Sequence, residues 1–251
     1  GCHKLDDEGG AIWPATADWL REVADNTNAE DMSLVQSFSP PLLNTQGRKT
    51  QPQWLLKWFK NVSMIRPHLQ VRMPSFDYTD EEWNDLISYF QQKDNLDLIY
   101  EDPHDFTLNS SSFKAGERIA EMGACINCHF YGEEKPKQDA LTWAPNLVLT
   151  KERLRPEWLV EWFINPQDVM PGTKMPAPYI PTEEPQNSIR EVWGSDVAQI
   201  SRDSTKLYKS LIDWMWGMEG RKDVSSIVRR HLNSQGYGFI IEEEDDWGDE
   251  W

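Results

Sequence analysis

Cysteine is scarce in this sequence of 251 residues, which contains only Cys2, Cys125 and Cys128. Three thiols do not make a disulfide framework. A structural zinc site usually needs four Cys or His ligands, and no second Cys or His pair at zinc-finger spacing follows Cys125. A thioredoxin-like redox pair needs a preceding strand in a βαβ unit, whereas helical patterns and proline breaks dominate here. The cysteines therefore indicate a different chemistry.

Basic residues are also few, because 25 Lys and Arg stand against 42 Asp and Glu, giving a net charge of −17. This balance argues against binding to nucleic acid, whose phosphates require a basic surface. It favours a basic partner that is drawn in by long-range attraction. The acidic run EEEDDWGDEW, residues 242–251, could contribute to that attraction or could be a solvated end.

Long apolar runs are absent, since none approaches the about 20 residues that span a bilayer. No signal peptide is recognisable either. The sequence therefore predicts a mature soluble portion with no direct membrane span, which a segment outside it could still tether. Tryptophan, by contrast, is abundant, and the 13 residues offer flat surface for walling a planar cofactor or burying an interface.

The two later cysteines belong to the motif CINCH, from Cys125 to His129. Cys-x-x-Cys-His is the pattern of c-type haem attachment, in which two thiols add to the vinyl groups and the histidine binds iron. A sixth iron ligand is expected downstream, where DVMPGTKMPAPY offers Met170 and Met175. The motif predicts a covalently attached haem c in the second half of the chain.

Taken together, CINCH, APNL and PGTKMP resemble the class I c-type cytochromes. The resemblance implies that Met175, rather than Met170, binds the iron opposite His129. It also implies that the backbone carbonyl of Pro145 accepts the Nδ1 proton of His129, which fixes the ring and tunes the iron.

The helix predicted within SSFKAGERIAEM corresponds to the N-terminal helix of that family. In the family this helix crosses the C-terminal helix through a close contact between a glycine and an aromatic ring. The resemblance therefore implies that Gly116 lies against Tyr208 or Trp214.

A repeat with an offset of 104 residues links the two halves of the chain: QPQWLLKWFKN at 51–61 matches RPEWLVEWFIN at 155–165. Both segments place proline at the first helical position and repeat Trp-Leu-x-x-Trp-Phe. The same offset pairs Pro41 with Pro145 and Pro67 with Pro171, and it brings Met73 opposite Met175 after a difference of two residues.

The segment YTDEEWNDLISYF follows Met73 and predicts a C-terminal cytochrome helix. Thr79 and Glu82 have the spacing of a capping box. An apolar stripe comes next, formed by Trp83, Leu86, Ile87 and Phe90.

The opening GCHKL occupies the place where a haem motif of the first half would lie. We interpret Cys2 and His3 as the second half of such a motif, with Met73 as the sixth ligand and Pro41 as the counterpart of Pro145. This interpretation predicts a further cysteine three residues before Cys2, in preceding sequence. The alternatives are that Cys2 is a lipid-anchor site or a degenerate motif. His68 competes with Met73 for the iron, whereas His104 and His231 are expected to be solvated.

These patterns predict an all-α protein with two tandem cytochrome c-like domains and irregular loops. The expected divisions are domain 1 at 1–95, a linker at 96–111, domain 2 at 112–220 and an acidic C-terminal extension at 221–251. Residues 176–204 form an interval that is either a surface loop or a docking element.

The resemblance implies electron transfer by two covalently attached haem c groups, each ligated by His and Met. A non-catalytic subunit of a membrane-bound respiratory or photosynthetic complex, in the periplasm or on the outer face of the cytoplasmic membrane, fits it best. Redox proteins, most simply other subunits of that complex, are then the partners. The alternatives are a dihaem peroxidase-type enzyme and a monohaem cytochrome with a haemless docking domain.

Overall fold

A computed structural model describes residues 1–6, 8–22, 32–67, 69 and 73–236. This part of the chain is mostly helical, as the sequence predicts, with one short hairpin of β1 (Lys4–Leu5) and β2 (Glu8–Gly9). The helices of the first half are α1 (Ile12–Glu22), α2 (Met32–Phe38), α3 (Gln46–Lys49), α4 (Pro52–Lys60) and α5 (Asp80–Lys93). The second half contains α6 (Ser111–Met122), α7 (Thr150–Arg153), α8 (Pro156–Ile164), α9 (Pro166–Val169), α10 (Gln186–Trp193), α11 (Ser195–Ile200), α12 (Ser204–Trp216) and α13 (Ser225–Ser234). Within the described ranges no helix has the length and apolar character needed to cross a membrane.

The sequence repeat is also a structural repeat. Helix α7 begins and ends 104 residues after α3, and α8 begins and ends 104 residues after α4. Proline is the first residue of both α4 and α8. The tryptophans of each longer helix stack one turn apart: Trp54 on Trp58 at 5.9 Å between ring centroids, and Trp158 on Trp162 at 5.1 Å. The same sequence pattern therefore produces the same local structure twice.

The two repeats contact each other through equivalent positions. Thr50 and Leu154 form an antiparallel bridge. On either side, the amide of Gln51 donates to the carbonyl of Arg153 at 2.9 Å, and the amide of Arg155 donates to the carbonyl of Lys49 at 3.0 Å. Because these contacts are reciprocal, an approximate twofold axis passes through this place. We call residues 49–51 and 153–155 the junction.

Helix α5 begins and packs as its sequence predicts. The Thr79 side chain accepts from the amide of Glu82, and the Glu82 carboxylate accepts from the amide of Thr79, so the capping box is complete. Its apolar stripe is buried at Trp83, Ile87 and Phe90. This stripe packs against α4, the helix that carries Trp54 and Trp58.

In the second half, α6 crosses α12 at Gly116, where the two backbones nearly touch. A Cβ atom at Gly116 would lie 1.8 Å from the carbonyl oxygen of Ser210. The expected partner was wrong, since the atoms nearest to Gly116 belong to the backbone of Ser210 and Leu211 rather than to a ring.

The two aromatic residues that had been expected there contact other rings. Tyr208 stacks on Phe163, and Trp214 lies against Tyr131. A contact between glycine and an aromatic ring does join the same two elements, but it is formed by the ring of Phe113 over Gly217.

The interval at 176–204 contains α10 and α11, which pack against α6. Ile189, Trp193 and Val197 are buried in the main core with residues of α6, α8 and α12. This interval is therefore part of the core of the second half rather than a surface loop.

The segment expected to be a polar linker packs closely on the second half. His104 was expected to be solvated, and this was wrong: its Nε2 lies 2.6 Å from Oδ1 of Asp213, and its side chain is 11% exposed. Tyr100 is buried under the guanidinium of Arg155, 4.1 Å from the ring centroid. Residues 100–104 are thus attached to α12 and to the junction.

Helix α13, in the expected C-terminal extension, covers a second small core. Val224 and Val228 pack there with Phe130 and Trp143. His231, also expected to be solvated, is half-buried with its ring 4.7 Å from that of Trp143. The acidic run at 242–251 lies outside the described residues.

We predict that Gly116→Val lowers the free energy of unfolding by about 3 kcal/mol, because neither backbone can move away from the added side chain. Chemical denaturation of the purified protein measures this change. Glu117→Ala, at the next and exposed position of α6, is the matched control and should change the stability by less than about 0.5 kcal/mol. Equal effects of the two substitutions would contradict the close crossing.

Candidate functional site

The CINCH segment forms a single tight turn after α6. Ala124 adopts a left-handed conformation with φ of 50°, and a 3₁₀ turn follows at Cys125–Asn127. The amide of His129 donates to the carbonyl of Cys125 at 3.0 Å, which closes the turn. Because positions i, i+3 and i+4 of a helical turn share one side, the turn brings together the side chains of Cys125, Cys128 and His129.

The orientation of His129 is fixed by a backbone carbonyl. Its Nδ1 lies 2.7 Å from the oxygen of Pro145, where the resemblance implies the acceptor. A carbonyl can only accept, so Nδ1 carries the proton and Nε2 carries the lone pair. Among the described residues the ring forms no other hydrogen bond. Burial lowers the pKa of His129, against the opposing effect of the Pro145 hydrogen bond, and favours the neutral ring that binds metal.

Both thiols of the turn are held in the protonated form. Burial raises the pKa of Cys125 to about 11, and burial also raises the pKa of Cys128. Catalytic redox cysteines have lowered pKa values, so this environment does not suit a thioredoxin-like pair. In the part of the chain that the structure describes, no group of three His, Cys, Asp or Glu side chains could hold a metal ion.

The two candidate methionines lie in different surroundings. Met175 packs against the main core, the same cluster that Cys125 contacts, and its Sδ accepts from Nε1 of Trp162 at 2.8 Å. Met170 follows α9 and lines a surface cleft between the two halves of the chain. The structure thus brings Met175, and not Met170, into the cluster that contains Cys125.

In the first half, His3 repeats the geometry of His129. Its Nδ1 lies 2.8 Å from the carbonyl oxygen of Pro41. The next hydrogen bond is repeated as well, because the amide of Leu43 donates to Lys4 at 3.0 Å and that of Leu147 donates to Phe130 at 3.0 Å. In both halves the histidine is therefore hydrogen-bonded to a proline, and the residue after the histidine is hydrogen-bonded to the second residue after that proline.

The remaining candidates of the first half are less closely assembled. Cys2 is exposed, next to His3. Met73 packs against the cluster of Leu55, Phe59, Trp83 and Ile87, as expected for a residue between α4 and α5. His68, its competitor, lies outside the described residues.

The donor atoms fit a c-type haem. The second half offers two protonated thiols for addition to vinyl groups, an imidazole whose Nε2 is available and a thioether on the same core. The first half offers one thiol, an imidazole held in the same tautomer and a thioether. Nitrogen and sulfur donors of this kind suit iron.

Sequence reasoning missed Asn146, which follows Pro145 and is 3% exposed. Its Oδ1 accepts from the amides of Gly132 and Val148 at 3.1 and 3.2 Å. Its Nδ2 donates to the carbonyls of Arg221 and Lys222 at 2.9 and 3.1 Å. Asn146 therefore holds the loop that carries Pro145. In the sequence, only its position in APNL could have indicated this role.

Comparison of the chain with protein-family models, curated proteins and solved structures gives no match. The interpretation of the site therefore depends on the residues and their geometry.

We predict that Asn146→Ala lowers the free energy of unfolding by about 3 kcal/mol, because it leaves several buried backbone groups without partners. Hydrogen exchange at the amides of Gly132 and Val148 should accelerate in the same variant. Asn187→Ala, on the exposed face of α10, is the control. Unchanged exchange at both amides would show that Asn146 does not hold this loop.

Proposed function

We propose that this chain is a dihaem c-type cytochrome that transfers single electrons, with one haem domain at 1–95 and a second at 112–220. The observation that carries the proposal is the repeated hydrogen bond from a histidine Nδ1 to a proline carbonyl, at His129 with Pro145 and at His3 with Pro41. It supports an iron-binding histidine in each half, because the bond leaves Nε2 with its lone pair in both.

The roles of the side chains follow from their chemistry. Cys125 and Cys128 would bind the second haem covalently, and Cys2 the first. His129 with Met175 would hold the iron of the second haem, and His3 with Met73 that of the first. A bound haem supplies an iron that gains or loses one electron, and thioether ligation raises its potential.

The protein surroundings would hold these groups and exclude water. Trp162 donates to Sδ of Met175, and the partly buried thioether packs against the core formed by α6, α8 and α12. An iron held by a histidine and a methionine would be closed to a substrate, which disfavours the peroxidase alternative. Each cycle would take one electron from a reduced donor and give one to an oxidised acceptor.

The partners in this proposal are redox proteins. The net charge of −17 favours a donor or acceptor with a basic docking surface. We further propose a place in a respiratory or photosynthetic membrane complex, in the periplasm or on the outer face of the cytoplasmic membrane, where c-type haem is attached.

The first test is the number of haems per polypeptide. We predict a pyridine haemochrome value of two for the protein from its native source, with the colour retained after denaturation because the haems are covalently attached. A Cys125→Ser/Cys128→Ser double variant should retain one. A value of one before mutation would favour a haemless first domain, and a value of zero would refute the proposal.

The second test separates the two methionines. We predict that Met175→Ala opens one iron, so that the reduced protein binds carbon monoxide and the charge-transfer band of methionine-ligated ferric haem loses about half its intensity, in proportion to one of two sites. Met170→Ala is the matched control and should leave both properties unchanged. Carbon monoxide binding by the Met170 variant alone would assign the ligand to Met170.

A further inference from the structure

Several basic side chains lie at the junction, and we call three of them, Lys49, Arg66 and Arg153, the junction cations. Lys49 Nζ lies 5.2 Å from the ring centroid of Trp158, and Arg153 Cζ lies 5.5 Å from that of Trp54. Lys49 and Arg153 occupy equivalent positions of the repeat, as do the two tryptophans. Each half therefore extends a cation across the twofold axis onto a tryptophan of the other half.

No carboxylate among the described residues forms an ion pair with a junction cation, although the chain contains 42 Asp and Glu. Arg66 donates to the carbonyls of Ser37 and Ser39, which are neutral. Arg153 Nε is buried and has no hydrogen-bond partner among the described residues. A buried cation is costly unless an anion compensates it, so this cluster requires negative charge from another source.

The electrostatics agree with this requirement. Burial and the neighbouring charges of Arg153 and Arg66 lower the pKa of Lys49 to about 7. Burial also lowers the pKa of Arg66 and of Arg153 to about 10. A nearby anion would stabilise the charged form of all three groups.

Each junction cation lies close to residues that contact a proposed iron ligand. The Trp158 ring under Lys49 stacks on Trp162, whose Nε1 contacts Sδ of Met175. In the other half, the Trp54 ring under Arg153 packs in the same cluster as Met73.

The third cation contacts the segment that leads to Pro41. Arg66 donates to Ser39 at 2.8 Å, two residues before Pro41, the acceptor for His3. The cluster therefore lies between the two candidate iron sites rather than beside only one of them.

We propose that Lys49, Arg66 and Arg153 form a carboxylate-binding site for the propionates of both haems. This inference rests on the proposed function, because a haem carries two propionate carboxylates at one edge of its ring. Guanidinium and ammonium groups bind carboxylates by charge-assisted hydrogen bonds. The site would draw cations from both halves, and binding of the haems would thereby stabilise the junction.

A second source of carboxylates is the acidic run at 242–251, which lies outside the described residues. The two sources share one chemistry, and isotope labelling distinguishes them. Propionates carrying ¹³C shift their infrared bands, whereas side-chain carboxylates at natural abundance do not.

The experiment compares redox-induced infrared difference spectra and midpoint potentials of the dihaem protein with labelled propionates. Its variants are Arg153→Gln and Lys49→Gln. Each tests the site by itself, so one is sufficient if the other fails to fold. Lys209→Gln, on the exposed face of α12, is the control with the same change of charge.

We predict that both junction variants shift the label-sensitive carboxylate bands and that the control does not. Loss of a nearby cation favours the ferric state, so at least one midpoint potential should fall. We expect a fall of about 59 mV, which corresponds to a tenfold change in the equilibrium constant for one electron. Arg153→Lys keeps the positive charge, so it should change the midpoint potentials little. It should still shift the label-sensitive bands, because the hydrogen-bonding geometry differs.

Unchanged label-sensitive bands in both junction variants would overturn the inference while the haem count of two still supports the proposed function. If deletion of residues 237–251 changes the potentials as the junction variants do, and those bands stay unchanged, the acidic run is the counter-ion. A haem count below two would instead refute the dihaem proposal itself.

Discussion

The hydrogen bond between a histidine Nδ1 and a proline carbonyl is the constraint on which the account of this molecule depends. At His129 it fixes the tautomer, leaves Nε2 available and determines where the turn after α6 must lie. The same bond at His3, at 2.8 Å, occurs in a segment that contains Cys2 next to the histidine. Asn146 supports the proline loop of the second half through four backbone groups, so a local bond depends on a wider network.

The junction relates the two halves by approximate twofold symmetry, and this explains why one chain would contain two comparable sites. Helices α3 and α4 recur as α7 and α8, and the backbone pairs at equivalent positions between them. Such self-complementary contact is typical of a symmetric dimer interface. Lys49 and Arg153, which form no ion pair with a described carboxylate, reach across the axis from the two halves. The symmetry that joins the halves therefore also concentrates positive charge in an otherwise acidic protein.

Local patterns predicted the local structure well. The capping box of α5, proline at the start of α4 and α8, and the repeat all follow from short-range sequence rules. Long-range contacts were missed, since spacing alone does not show that His104 reaches Asp213 or that Gly116 meets the backbone of Ser210. Asn146 was missed for the same reason: its partners are up to 76 residues away, and one asparagine in a loop predicts nothing about them.

The central claim is that each half holds one haem with a methionine ligand, and proton NMR of the reduced protein tests it most directly. The ring current of a ligated haem moves the methionine methyl resonance far upfield of all others. We expect two such resonances, one lost in Met73→Ala and the other in Met175→Ala. A single resonance that disappears in Met175→Ala and is unaffected by Met73→Ala would contradict it.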